Sequence, residues 1–86
     1  MADIMKPIIS ISGTSRKELI DQRIEAGRAL MALMKTMSQM VPNGRDYIGQ
    51  PLAFERDRAI HRARFAILDA MHNELMDEAL HIRDWV

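Results

Sequence analysis

The longest stretch of this chain without a helix breaker runs from Leu52 to Arg83 and contains neither glycine nor proline. Within it, apolar and histidine side chains recur at the three- and four-residue spacing of one helix face. They are Phe54, His61, Phe65, Leu68, His72, Leu75, Ala79 and Ile82. The pattern predicts one helix over residues 52–83, about 48 Å long at a rise of about 1.5 Å per residue.

A second helix is predicted over residues 15–41. Ser15 followed by Glu18 is the pattern of a capping box at its start, and Pro42 ends it. Two neighbouring apolar stripes follow its length, which makes the apolar arc wide. They hold Leu19, Ala26, Leu30, Leu33, Met37 and Met40, and Ile20, Ile24, Met31, Met34 and Val41. This helix is about 40 Å long and can fold back antiparallel on the first.

The fold class expected from these segments is all-α. Residues 1–14 contain a proline and an isoleucine–serine alternation, which is typical of an extended N-terminal arm. Residues 15–86 then form a single helical-hairpin domain, with Gly27 facing the alanines of the second helix. Two rods leave half of each apolar arc in water, so we expect a homo-oligomeric four-helix bundle or a larger ring.

Size and composition also favour self-association. The chain has 86 residues, of which 48% are hydrophobic and 28% charged, so it is a folded domain near the size where a core is marginal. It has no cysteine, which excludes a disulfide scaffold and a thiolate zinc site. It also has neither an apolar run of about 20 residues nor the features of a signal peptide. We therefore expect a cytoplasmic protein without a membrane partner.

The net charge is zero, but it is unevenly distributed. Residues 16–64 hold ten Lys or Arg against six Asp or Glu, whereas residues 65–86 hold Arg83 against five acids. Nine of the twelve basic residues are arginine, whose planar group suits carboxylates, phosphates and aromatic faces. Zero net charge and long helices argue against sequence-specific DNA binding through a helix-turn-helix unit.

Asp57 and Arg64 lie near the middle of the apolar arc when the long helix is projected at about 100° per residue. A charge buried there without a partner is costly, so each needs an opposite charge or a ligand. Two interpretations stay open at this point. The residues form a structural ion pair across a symmetry axis, or they belong to a ligand pocket.

The connection between the helices holds the second candidate site. Arg45 and Tyr47 lie among turn-forming residues, and Arg56 follows in the first turns of the long helix. Guanidinium groups and the amides of a helix start suit a phosphate, while an aromatic ring suits a nucleotide base. A plain turn with surface ion pairs is the alternative. The predicted ligand-binding residues are Arg45, Tyr47, Arg56, Asp57 and Arg64.

Catalytic and metal-binding motifs are weak or missing. The sequence has no hydrolase elbow, phosphate loop or metalloprotease box, and without cysteine it lacks a common strong nucleophile. Glu78 and His81 have the Glu-x-x-His spacing of di-iron bundles, a spacing that also occurs readily by chance. His61 and His72 are about 16 Å apart along the helix, too far to share an ion. We expect no enzyme activity, no cofactor and no metal site.

The run from Pro42 to Tyr47, Pro-Asn-Gly-Arg-Asp-Tyr, resembles the same loop in small helical proteins encoded by tailed bacteriophages and prophages. The resemblance covers this loop and the arginine- and glutamate-rich helix that follows. It implies a task in blocking host defence, either by sequestering a nucleotide immune signal or by capping a defence protein. It also implies a location in the host cytoplasm, and it carries over no catalytic residue.

The function expected is therefore that of a non-enzymatic binding protein of phage or prophage origin. Its oligomer would capture a small anionic ligand, such as a nucleotide signal, between subunits. The alternative is a protein-interaction module that docks on a host defence complex through its apolar arc or its acidic C-terminal half. The acids of that half are Asp69, Glu74, Asp77, Glu78 and Asp84. A structural phage component is a third reading.

Overall fold

Two antiparallel helices dominate residues 3–85, the part of the chain that the computed structural model describes. Helix α1 is Arg16–Met37 and helix α2 is Pro51–Arg83. Two short 3-10 helices, Ser38–Met40 and Gly44–Tyr47, lie between them. No strand occurs in this part of the chain, so the all-α class is confirmed. The ends of the predicted arm and of the predicted domain, residues 1, 2 and 86, lie outside the described residues.

The predicted bounds of α2 are right to within one residue, whereas α1 ends four residues before its predicted end. At the start of α1, the Ser15 hydroxyl accepts a hydrogen bond from the amide of Glu18 at 3.1 Å, which is one of the two bonds of the predicted capping box. At its end, the Ser38 hydroxyl donates to the carbonyl of Lys35 at 2.6 Å. That bond satisfies a carbonyl left free at the helix end, and the chain tightens into a 3-10 turn before it reaches Pro42.

The connection between the helices folds back through two local turns. The Asn43 side chain accepts a hydrogen bond from the amide of Arg45 at 2.9 Å and caps the second 3-10 helix. Gly49 has a φ of 73°, a value that glycine adopts without steric cost. The amide of Gln50 then donates to the carbonyl of Tyr47 at 2.8 Å. These turns return Tyr47 to the first turns of α2.

Only a narrow seam between the helices is buried. Among the apolar residues of the described chain, Ala79 and Ile82 alone are buried, and Ile82 completely so. Many large apolar side chains along the two helices are only half-buried. They include Leu30, Met34, Met37, Phe65, Leu68 and Leu75, which come from the predicted apolar faces. The hairpin by itself thus leaves much of each apolar arc in contact with water.

A buried ion pair fixes the register of the seam. Nε of Arg23 donates to Oε1 of Glu78 at 3.0 Å, and the two side chains are 11% and 7% exposed. Arg23 also donates to the carbonyl of Leu19 at 3.2 Å. The second carboxylate oxygen of Glu78 accepts from the backbone amide of Met5 at 3.0 Å. Residues 3–10, which form neither helix nor strand, are therefore attached to α2 at this carboxylate.

Gly27 is a point of close approach, but not against the residues expected. A Cβ atom built on Gly27 would lie 2.7 Å from Cε of Met76 and 3.6 Å from the ring of His72. The alanines in the middle of α2 are exposed instead. The expectation that Gly27 faces those alanines is wrong, because the Arg23–Glu78 pair sets a register that brings Gly27 to the last third of α2.

The Arg23–Glu78 pair gives the first prediction. Arg23→Ala should lower the free energy of unfolding by about 3–5 kcal/mol, because it leaves a carboxylate buried without its cation. The double variant Arg23→Met, Glu78→Leu should be much milder, because no charge is left buried. Denaturant unfolding followed by far-ultraviolet circular dichroism measures both losses.

The matched control is Arg28→Ala, since Arg28 pairs with Glu25 on the surface of α1. Surface pairs contribute little to stability, so the midpoint of unfolding should hardly move. A loss for Arg28→Ala as large as that for Arg23→Ala would contradict the assigned role of the buried pair.

Candidate functional site

A pocket of about 310 Å³ lies where the connecting loop meets the first turns of α2. It is lined by Met40, Pro42, Tyr47, Arg56, Asp57, Ile60, His61 and Arg64. Four of the five predicted ligand-binding residues are therefore in one place. Helical spacing of three and four residues brings Asp57, His61 and Arg64 to one side of α2, and the loop folds Tyr47 back beside them.

Arg45, the fifth predicted residue, does not line this pocket. It is exposed, and its Nε donates to Oδ1 of Asn43 at 3.3 Å. Residues two apart in a 3-10 helix point in widely different directions, because three residues complete a turn. The single 3-10 turn therefore separates the side chains of Arg45 and Tyr47, which the sequence had suggested would act together.

Tyr47 is held in place by two contacts. Its hydroxyl donates to Oδ2 of Asp57 at 2.7 Å, and its ring lies 5.4 Å from the ring of Phe54, centroid to centroid. The guanidinium carbon of Arg58 lies 5.3 Å from the centroid of the Phe54 ring, so an arginine supports this pair of rings. The hydrogen bond to the Asp57 carboxylate raises the pKa of Tyr47, and burial and the negative charge of Asp57 act in the same direction.

Asp57 has partners in its own chain, whereas Arg64 does not pair with it. Besides the Tyr47 hydroxyl, Asp57 has Nε of Arg56 at 3.5 Å from its Oδ1, and its side chain is 35% exposed. Arg64 is exposed, and no ion pair within residues 3–85 involves it. An Asp57–Arg64 pair between chains stays a prediction. The guanidinium of Arg64 is available to a ligand or to another chain.

The pocket lies in the positive half of the hairpin. Residues 28–73, which form the half of the hairpin toward the loop in the register of the Arg23–Glu78 pair, hold seven Lys or Arg against four Asp or Glu. The other half of the hairpin, toward the two termini, carries the balancing negative charge. A positive field of this kind attracts anions to the loop end. Arg56 and Arg64 can donate to oxyanions there, while Asp57 orients Arg56 and Tyr47.

The residues that sequence reasoning missed at this pocket are mostly apolar. Met40 and Pro42 come from the end of the α1 segment, and Ile60 and His61 come from α2. The signal of Met40 and His61 in the sequence was ambiguous, because both belong to the predicted apolar faces of the helices. Only the path of the loop shows that these faces end at a cavity instead of a packed core.

A larger apolar groove, of about 730 Å³, lies on another side of α2. It is lined by Ser38, Val41, His61, Arg62, Phe65, Ala66 and Asp69. The rings of His61 and Phe65 lie 6.0 Å apart along it. Phe65, which the sequence assigned to the helix interface, is half-buried and forms part of this open wall.

Glu78 of the Glu-x-x-His motif has a structural role. Glu78 is buried against Arg23 and the Met5 amide, so both of its oxygens are occupied. Among the described residues, no group of three or more His, Cys, Asp or Glu side chains is arranged to hold a metal ion. Neither helix of this part of the chain is long and apolar enough to cross a membrane.

Comparisons with known proteins gave no relative: no family model, no curated protein and no solved structure matches the chain. The resemblance of the loop to phage-encoded proteins therefore stays a prediction from the residues Pro42 to Tyr47. What the pocket can bind follows from the positions and contacts of the residues that line it.

The Tyr47–Asp57 contact gives the second prediction. Tyr47 is the only tyrosine of the chain, so its ionisation can be followed alone by ultraviolet absorbance. Its titration midpoint should lie above 10.0, the ordinary pKa of tyrosine, because ionisation breaks its hydrogen bond and places two negative charges together. A raised pKa stabilises the folded state below the ordinary tyrosine pKa, and this contribution is lost as the pH rises through the raised value.

Asp57→Asn is the control for this titration. It removes the negative charge and should return the Tyr47 midpoint toward its ordinary value, whereas Asp46→Asn, in the loop itself, should have a smaller effect. An unchanged midpoint in Asp57→Asn would show that the contact does not persist in solution.

Proposed function

We propose that this chain is a non-enzymatic binding protein whose loop-end pocket captures a small anionic ligand, with a nucleotide as the ligand that fits best. The proposal is carried by one observation, the convergence of Arg56, Arg64 and Tyr47 on a pocket of about 310 Å³. That volume is at the lower end of the range of small-molecule sites. The loop resemblance favours a phage or prophage protein that withholds a nucleotide immune signal from host defence in the host cytoplasm.

Each pocket residue has a distinct task in this proposal. Arg64 donates two parallel hydrogen bonds to a phosphate, as guanidinium groups do with oxyanions. Arg56 supplies a second positive charge, and Asp57 orients it from 3.5 Å. Tyr47, fixed by Asp57 and Phe54, offers its free ring face to a base.

Self-association is part of the proposal. The hairpin assembles with copies of itself into a homo-oligomeric helical bundle, and the captured ligand lies at the edge of the interface between subunits. Support comes from the thin seam, in which Ala79 and Ile82 are the buried apolar residues of the described chain. A hairpin with so small a core gains most of its apolar burial from another copy.

The third prediction tests ligand capture by isothermal titration calorimetry. The wild-type protein should bind at least one member of a panel of cyclic mononucleotides, cyclic dinucleotides and ADP-ribose derivatives. Arg64→Gln should weaken that binding by about tenfold or more, because a hydrogen bond to a charged group contributes about 1.5–3 kcal/mol. Rising salt should weaken binding as well.

Arg62→Gln is the matched control for this experiment. It removes the same charge from the same stretch of α2, but Arg62 lines the apolar groove and not the pocket. Its affinity should equal that of the wild type. No heat of binding across the panel, or equal losses for Arg62→Gln and Arg64→Gln, would overturn the proposal.

A second candidate is an interaction module that docks on a protein of a host defence complex. The observation that favours it is the open apolar groove of about 730 Å³ around Phe65. Phe65→Asp should then abolish binding to the defence protein and leave nucleotide affinity unchanged. Calorimetry on this variant separates the two candidates, because Phe65 does not line the loop-end pocket.

A further inference from the structure

One side of the hairpin carries a stripe of exposed apolar residues, which we call the Ile67 face. It comprises Leu33 of α1, Met40 of the first 3-10 helix, and Ile67 and Met71 of α2, with the half-buried Ile60 and the exposed Arg64 beside them. Met40 lies on the same side as Ile60 and Arg64 because all three line the loop-end pocket, and Leu33 precedes Met40 by seven residues, about two helical turns. Leu33, Met40, Ile67 and Met71 have exposures of 45 to 62%, which is high for such side chains.

The chain exposes more surface than a compact protein of its mass. The hairpin exposes 6676 Å², whereas a compact protein of 9.9 kDa exposes about 5,200 Å². The elongated shape, with extents of 63 × 23 × 17 Å, contributes to this excess of about 1,500 Å². An interface of standard size buries roughly 800 Å² on each partner, so the exposed surface is large enough to hold one.

Two charged residues interrupt or border the Ile67 face without a partner in the described chain. Arg64 and Glu74 form no ion pair within residues 3–85, and Glu74 is half-buried. They have opposite signs and lie at equal distances along α2 from position 69, which is also the midpoint between Ile67 and Met71. When a second copy of the stripe is laid on the first in the opposite direction, each arginine therefore lies opposite a glutamate, and each isoleucine lies opposite a methionine.

We infer that a second copy of this chain packs antiparallel on the Ile67 face, with a two-fold axis passing between Ile67 and Met71. Ile67 of each chain then packs against Met71 of the partner subunit, and Arg64 pairs with Glu74 of the partner subunit. Such an isologous contact uses the same patch twice. A parallel copy would instead bring Arg64 against Arg64 and leave both glutamates without a cation.

The charge distribution of the whole hairpin favours the same orientation. The loop half, residues 28–73, has a net charge of +3, so the half toward the termini has −3. In the antiparallel dimer each positive half lies against a negative half. Charge complementarity of this kind selects one orientation over others even where it adds little affinity.

This arrangement rests on the proposed self-association, and it is independent of whether the pocket binds an anion. Arg64 lies at the boundary between the Ile67 face and the pocket. Its guanidinium has several N–H donors in a planar fork, so one edge can meet a carboxylate while the other meets an oxyanion. The partner's Glu74 would thus orient Arg64 for the ligand.

The fourth prediction is a charge exchange, measured by sedimentation equilibrium. The wild type should be a dimer. Glu74→Lys and Arg64→Glu should each raise the dimer dissociation constant by about tenfold or more, because each brings like charges together. The double variant Arg64→Glu, Glu74→Lys should recover most of that affinity, because it restores opposite charges with their positions exchanged.

Asp69→Lys is the matched control, since it makes the same change of charge on the opposite side of α2, where Asp69 lines the apolar groove. It should leave dimerisation unchanged. Ile67→Ala tests the apolar centre without adding charge and should also weaken the dimer. Far-ultraviolet circular dichroism of each variant separates a folded monomer from an unfolded chain.

The orientation is tested by a single cysteine in a chain that has none. Gly44→Cys is suitable because nothing lies within 4 Å of a Cβ at this loop position. In the antiparallel dimer the two loops are at opposite ends of a molecule 63 Å long, so oxidation should give no disulfide within the dimer. A monomeric wild type, a double variant as weak as the single ones, or rapid disulfide formation would each overturn the inference.

If the double variant lost nucleotide binding but remained a dimer, the inferred antiparallel dimer would not be contradicted. Arg64 belongs to the pocket, so its replacement should remove the anion without removing the partner. A dimeric wild type that binds no nucleotide would likewise overturn the proposed function alone. The two proposals therefore fail separately.

Discussion

The buried pair of Arg23 and Glu78 holds the two helices in one register along a seam that has little else to align it. It is more than a link between helices, because the same carboxylate accepts the amide of Met5 and attaches the N-terminal segment. Ala79 and Ile82, the buried apolar residues of the described chain, follow Glu78 within the next turn of α2. A charged contact of this kind specifies a position more sharply than an apolar contact, since apolar packing is non-directional.

A two-helix seam has a geometric limit that shapes the rest of the molecule. Each helix can cover only one stripe of its neighbour, so a wide apolar arc on both helices leaves apolar surface on the outside. The hairpin consequently exposes Leu33, Ile67 and Met71 on one side and an apolar groove around Phe65 on another. These outer apolar surfaces are where the chain can associate with another chain. Its positive and negative charges are separated along the long axis of the hairpin.

The contacts of Asp57 at the loop end bear on both proposals, anion capture and dimerisation. Tyr47 donates to Asp57, and Arg56 lies beside it, so the negative charge of Asp57 is engaged locally. Arg64, one turn further than Ile60 along α2, has no acidic partner among residues 3–85. A free guanidinium at the border of a small pocket and an apolar face can serve an anion on one side and a second copy on the other.

Periodicity, capping and turn signals in the sequence determined both helices, the bounds of α2, the turn at the connection and four of the eight residues that line the pocket. All of these depend on neighbours within a few positions. Tertiary structure alone decided the register, since Arg23 and Glu78 are 55 positions apart and no local pattern relates them. It likewise separated Arg45 from Tyr47 through one 3-10 turn. The sequence could not specify these features because they depend on which distant groups satisfy a buried charge and on how a short turn directs its side chains.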